Sequence, residues 1–153
     1  MTRTVVSTGI PGLDELLSGG FLLGGCNLVE GVPGTGKTTV GIQFIYTGAM
    51  AGEPGLNITF EESPQQIKQD ALSLGWDLAR LEAENRLRII CTSPQVFVDQ
   101  LREVGGIVDL TIAELEAKRL LMDSVTHLQQ IGGSQAELRM LVYSMMNGLR
   151  RAG

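Results

Sequence analysis

Positive charge is scarce in this chain. Its only lysines are Lys37, Lys68 and Lys118, and the formal net charge is −5. Unaided grip on nucleic acid needs concentrated cations, so a DNA- or RNA-binding role is disfavoured. Arg150 and Arg151 close the chain as a basic pair suited to a solvated helix terminus. Aromatic residues make up only 5%, so the core has to be built from Leu, Ile, Val and Met. Cys26 and Cys91 are the only cysteines and form no C-x-x-C pair. Lying in apolar runs, they are expected as free, mostly buried thiols of a reducing compartment. Long hydrophobic runs are missing too: the stretch GGFLLGGCNLV is too short and too glycine-rich to span a bilayer, and the first residues hold no apolar signal core. A cytoplasmic location with no membrane association is the resulting expectation.

Glycine, by contrast, is abundant. Of 20 glycines, nine fall between Gly9 and Gly36, which points to tight turns and close backbone approaches. A length of 153 residues, 43% of them hydrophobic, suits a single domain with a real core.

Short apolar runs alternate with segments of helical period. CNLVE (26–30) reads as a buried strand, and KTTVGIQFIYTGAM (37–50) as a helix with Val40, Phe44 and Ile45 at helical spacing. GEPG turns into a second strand, LNITFEE (56–62). Ser63 and Pro64 then open a helix with Ile67, Ala71 and Leu74 on one face, which Gly75 ends. Next come a short helix over 76–85 with Trp76 as packing anchor, a strand over 86–93 and a helix over 94–104. TIAELEAK (111–118) reads as a helix opened by a Thr111/Glu114 capping box, and RLLMDS (119–124) as a fourth strand. A second box, Ser134/Glu137, starts a helix with Leu138, Leu141, Val142, Met145 and Leu149 on one face; Met140, Met145 and Met146 are expected at a helix interface. Such alternation predicts a three-layer α/β/α fold around a mostly parallel sheet.

GVPGTGKT (31–38) satisfies G-x-x-x-x-G-K-[ST] between an apolar strand and an apolar-periodic helix. The chemistry of a phosphate site needs this order. Gly34 and Gly36 let successive N–H groups turn inward on a polyanion in front of a helix N-terminus. Gly31, Val32, Pro33 and Thr35 complete the loop, and Thr39 is placed to reach a phosphate nearer the sugar. Lys37 supplies a mobile charge for the β- and γ-phosphates, and Thr38 a hydroxyl for Mg²⁺. Asp123 ends an apolar strand, where a parallel sheet presents its carboxyl ends to a ligand, and is expected to hold the metal's water shell. Glu61 and Glu62 close another strand, whose alternation would aim only one of them at the phosphates; a carboxylate there could orient or deprotonate an attacking water. His127 is expected to be an ordinary surface or loop histidine.

In order along nearly the whole chain, TGIPGLDELLSGGFLLGG, GVPGTGKTT, ITFEESPQQI, LGWDL and RLLMDSVTHL resemble the KaiC family of RecA-like P-loop ATPases. The resemblance implies ATP and Mg²⁺ bound at the interfaces of a ring, typically a hexamer, with hydrolysis to ADP and, in some members, phosphate transfer to their own hydroxyls; further regulatory proteins are possible partners. It pairs Lys37 and Thr38 with the Walker A residues, Asp123 with the Walker B acid, and Glu61 with Glu62 with the catalytic glutamates. It also implies a strand after the Walker B segment that inserts beside it, whereas the sequence stops at GLRRAG. The chain is therefore expected to be a single partial domain, 1–153, slow in hydrolysis alone because the basic finger residues are absent. A nucleotide-sensing assembly module with little turnover is the alternative, and a RecA-like DNA-handling ATPase a weaker one.

Overall fold

A computed structural model describes residues 4–103, 105–129 and 134–151. A short antiparallel ladder pairs β1 (Val5–Val6) with β2 (Phe21–Leu22), with α1 (Leu13–Leu16) between them. Asp14 ties this N-terminal lap together, accepting from the Ser7 hydroxyl at 2.6 Å and the Thr8 amide at 2.8 Å. Gln43 then fastens it to the body by donating to the Gly9 carbonyl at 2.9 Å.

The main sheet has the order β4-β3-β5 and is parallel throughout, from β3 (Gly55–Thr59), β4 (Leu87–Cys91) and β5 (Arg119–Asp123). Its register sets Thr59, Cys91 and Asp123 level at the carboxyl end. β3 is central and buried at every position, as a run covered on both faces must be. Alternation divides its side chains between two cores. On one face α2 (Lys37–Met50), α3 (Pro64–Ser73) and α4 (Leu78–Ala83) bury Ile42, Ile45, Ile67, Ala71, Leu78 and Leu81 against Leu87 and Ile89. On the other, α5 (Pro94–Arg102), α6 (Ile107–Leu115) and α7 (Thr126–Gln129) pack Phe97, Val108, Ile112, Leu115 and Leu128 over Leu56 and Ile58. These are the three layers expected from the alternating pattern.

Two glycines let α2 lie close to β5. A side chain at Gly41 would collide with Leu121, and one at Gly48 with the Arg119 guanidinium. Arg119 is buried, yet fully engaged. Its Nε donates to Glu53 at 2.7 Å and its Nη1 to the Phe44 carbonyl at 2.8 Å, while the guanidinium lies 4.5 Å from the Phe44 ring centroid.

The helix over 37–50 and the Ser63–Pro64 start form as expected, the Ser63 hydroxyl accepting from the Gln66 amide at 3.2 Å. Trp76 is an anchor, stacked on Tyr46 at 5.8 Å between centroids just before the Asp77 cap of α4. The Ser134/Glu137 box is reciprocal, at 3.1 and 3.3 Å, and opens α8 (Gln135–Arg151).

Other expectations need correction. CNLVE (26–30) forms no strand and is exposed; among the described residues no strand pairs with it. β5, by contrast, keeps the open side that the resemblance implied: it pairs with β3 and, among the described residues, with no strand on its other side. Both cysteines are exposed, Cys26 in that unpaired segment and Cys91 at the end of an outer strand. Thr111 caps nothing: α6 begins earlier, after Gly106, and the buried Thr111 hydroxyl bonds the Ile107 carbonyl within the helix at 2.6 Å. α6 starts early because Val108, Ile112 and Leu115 need one face against the core. Leu74 and Met140 are exposed, the former because α3 has ended at Ser73. The side chains of Leu141, Val142, Met145, Leu149, Arg150 and Arg151 lie outside the described residues, as do Gly132 and Gly133.

Candidate functional site

The loop Gly31–Gly36 arrives at the start of α2 through two residues in left-handed conformation, Gly34 (φ 82°) and Gly36 (φ 88°). Any L side chain is strained there, which is what the glycines of the motif are for. Val32 collects the loop about its carbonyl, which accepts from Thr35 Oγ1 at 2.8 Å and Lys37 Nζ at 3.0 Å. Lys37 thus arches back over the loop. Gly36 caps α2 without a side-chain bond, and the first intrahelical bond is donated by Val40. The amides of Lys37, Thr38 and Thr39 therefore remain as the unsatisfied donors of a helix start, the arrangement that attracts an anion.

From the sheet side, Asp123 comes forward at the end of β5 and its Oδ2 accepts from the Thr38 hydroxyl at 2.6 Å. Far apart in sequence, the loop and the strand-end acid are brought into direct contact. A hydroxyl and one carboxylate suit Mg²⁺, which keeps most of its waters and takes few protein ligands. Among the described residues no group of three or more His, Cys, Asp or Glu could form a protein cage for a metal.

Glu61 and Glu62 lie in a bend beyond β3, not within it as the extended LNITFEE reading required. The ladder ends one step past Thr59, where the Phe60 amide donates to the Asp123 carbonyl at 3.1 Å. The Thr59 hydroxyl then takes the Glu62 amide at 3.2 Å and turns the chain into the Ser63 cap. Both carboxylates therefore leave from the end of the sheet that carries Asp123. Partial burial, and then the charges of Asp123, Asp70 and Glu61, hold the Glu62 carboxyl above the ordinary glutamate value. Glu61 is engaged differently: its Oε1 meets His127 Nε2 at 2.6 Å, and His127 Nδ1 lies 2.9 Å from the Ser124 hydroxyl. His127, expected as an ordinary surface or loop histidine, instead lies half-buried on α7 and bridges Ser124 and Glu61. The available signal was topological, since both segments follow the carboxyl ends of strands that turn out to be neighbours.

A glycine loop before a helix, closed against a strand-end acid on a parallel α/β sheet, defines the class of P-loop nucleotide-binding domains. Comparison with known proteins narrows it. The family model described as "ATPase: KaiC" matches residues 6–153, and the chain belongs to that family. It is 38% identical to the circadian clock oscillator protein KaiC of Synechococcus elongatus, over 95% of this chain and 30% of that protein. It is 37% identical to a UPF0273 protein of Thermotoga maritima, over 80% of this chain and 56% of the relative. A UPF0273 protein of Methanopyrus kandleri is likewise 37% identical, with 54% of its length covered. The chain thus spans about a third of its KaiC relatives and just over half of the others.

Proposed function

We propose that this chain is an ATP-binding, Mg²⁺-dependent ATPase module. The loop Gly31, Val32, Pro33, Gly34, Thr35, Gly36 with Lys37, Thr38 and Thr39 embraces the phosphates, and Lys37 leaves the Val32 carbonyl for the β- and γ-oxygens. Thr38 and Asp123 together hold Mg²⁺, which when bound neutralises charge on the β- and γ-phosphates. Glu61 and Glu62 serve the water: a carboxylate takes its proton as the oxygen attacks the γ-phosphorus. The bond from that phosphorus to the bridging oxygen breaks, and ADP leaves with the electron pair. The observation that carries the assignment is the 2.6 Å contact between Thr38 and Asp123, which unites the loop and the acid.

Family membership supports hydrolysis at the interfaces of a homo-oligomeric ring, with a hexamer as the working proposal. Because phosphoryl transfer gains about three to five orders of magnitude from a finger residue given in trans, turnover should depend on assembly. The two free thiols support a reducing, cytoplasmic setting. In the test, Lys37→Ala abolishes ATP binding measured by calorimetry, and Asp123→Asn removes its Mg²⁺ dependence. Equal binding by Lys37→Ala and the parent would refute the cradle.

One observation favours a second reading, nucleotide-dependent assembly with little turnover. Leu22, Leu23, Leu28, Val29 and Val32 are all exposed on the segment leading into the loop, an apolar surface that a neighbouring subunit would cover. Turnover measured alongside ATP-dependent particle mass separates the two, since brisk hydrolysis by a monomer removes the assembly reading.

A further inference from the structure

The ring of His127 is the middle member of a hydrogen-bonded line from Ser124 to Glu61. Leu128, next to it on α7, is buried in the core, and the His127 amide donates to the Ser124 carbonyl at 3.3 Å, so the backbone beneath the ring is fixed. The Phe60 ring lies beside the imidazole, 6.4 Å between centroids, and Phe60 is itself set edge-on against the buried Phe97 at 5.5 Å. The two partners differ sharply in exposure: the His127 side chain is 21% exposed and that of Glu61 66%. A glutamate that open samples many rotamers unless something holds it.

Resting on the hydrolytic role proposed above for the glutamate pair, we propose that His127 is a positioning residue which, seated on Ser124, holds the Glu61 carboxylate in place for reaction. A carboxylate only accepts, so Nε2 carries the hydrogen in this pair, and the other ring nitrogen, Nδ1, rests on the Ser124 hydroxyl. Ser124 directly follows Asp123. The metal-side acid and the fixed end of the histidine line therefore share one strand terminus, which keeps Glu61 in register with the Thr38–Asp123 pair. A misplacement of about 1 Å in a reacting group can cost on the order of a hundredfold in rate. A polar contact with so exposed a partner contributes little to folding, so the effect lies in turnover.

The test uses the full chain under assembled, Mg·ATP conditions. Gln presents an N–H near the place of Nε2, whereas Asn reaches only toward the place of Nδ1. We expect His127→Ala and His127→Asn to lower kcat about tenfold or more with KM for ATP unchanged, and His127→Gln to recover most of it. Melting midpoints should move by less than about 4 °C. Because His127 is the only histidine, its ring nitrogens can be read directly by NMR in nucleotide-free protein. Glu61→Gln should shift Nε2, and Ser124→Ala should shift Nδ1. Unshifted ring nitrogens in Glu61→Gln, unchanged kcat in His127→Ala, or equal defects in the Gln and Asn variants would each overturn the proposal. Failure of the ATPase reading shows instead in the parent, as lost binding or turnover, while the NMR result on the contact stands by itself.

Discussion

The ion pair between Arg119 and Glu53 makes an asymmetric prediction about stability. Arg119 is the interior partner, its side chain 3% exposed, while that of Glu53 is 42% exposed. Removing Glu53 strands a buried cation whose remaining partners are the Phe44 carbonyl and ring. Stripping a buried ion of its partner costs about 3–5 kcal/mol, and because Glu53 is partly solvated the low end, about 3 kcal/mol, applies to Glu53→Ala. Arg119→Met keeps an unbranched stem against Gly48 and leaves a carboxylate that water can reach, so its cost is about 1 kcal/mol. In a chain of this length these figures correspond to melting-point losses of roughly 6–12 °C and 2–4 °C. Urea and thermal unfolding followed by circular dichroism measure both. If Arg119→Met is the more damaging variant, or if neither moves the midpoint, the buried-cation account of this corner is wrong.

Two further predictions concern local structure. Asp14 is held below its ordinary carboxyl value by hydrogen bonds from the Ser7 hydroxyl and then from Thr8, so its contribution is present above that value and lost as pH falls through the lowered one; Asp14→Ala should remove that acid sensitivity from the unfolding profile. Since Thr8 is fully buried and loses its acceptor, the same variant should cost about 1–3 kcal/mol at neutral pH, read by urea titration. Ser63→Ala removes the acceptor for the Gln66 amide and should cost about 1 kcal/mol, again by urea titration; no change would mean that the cap does not hold the turn after Glu62.

Much of the site was legible because its parts announce themselves locally. The glycine spacing of the loop, the helical period behind it and the apolar run ending in Asp123 are all short-range patterns, and each lies where the sequence placed it. What escaped was pairwise. CNLVE has the composition of a strand, but a strand is made by its neighbour, and composition names none. Glu61 and Glu62 were read into β3 because the polar pair continues an apolar run, yet the Thr59 hydroxyl turns the chain before them. The capping box at Thr111 was outweighed by the burial of Val108 one turn earlier. The contact between His127 and Glu61 joins a short helix and a bend that meet only once the strand order is known.

The close seating of α2 on β5 has a mechanical consequence. Helix and strand are riveted at both ends, by Arg119 beneath Phe44 and Gly48 and by Thr38 against Asp123. Thr38 and Gly48 lie ten residue steps apart on the helix, about 15 Å. Loosening the lower one would shift the load onto the Thr38–Asp123 contact, so that damage to a salt bridge remote from the glycine loop would be felt at the start of α2.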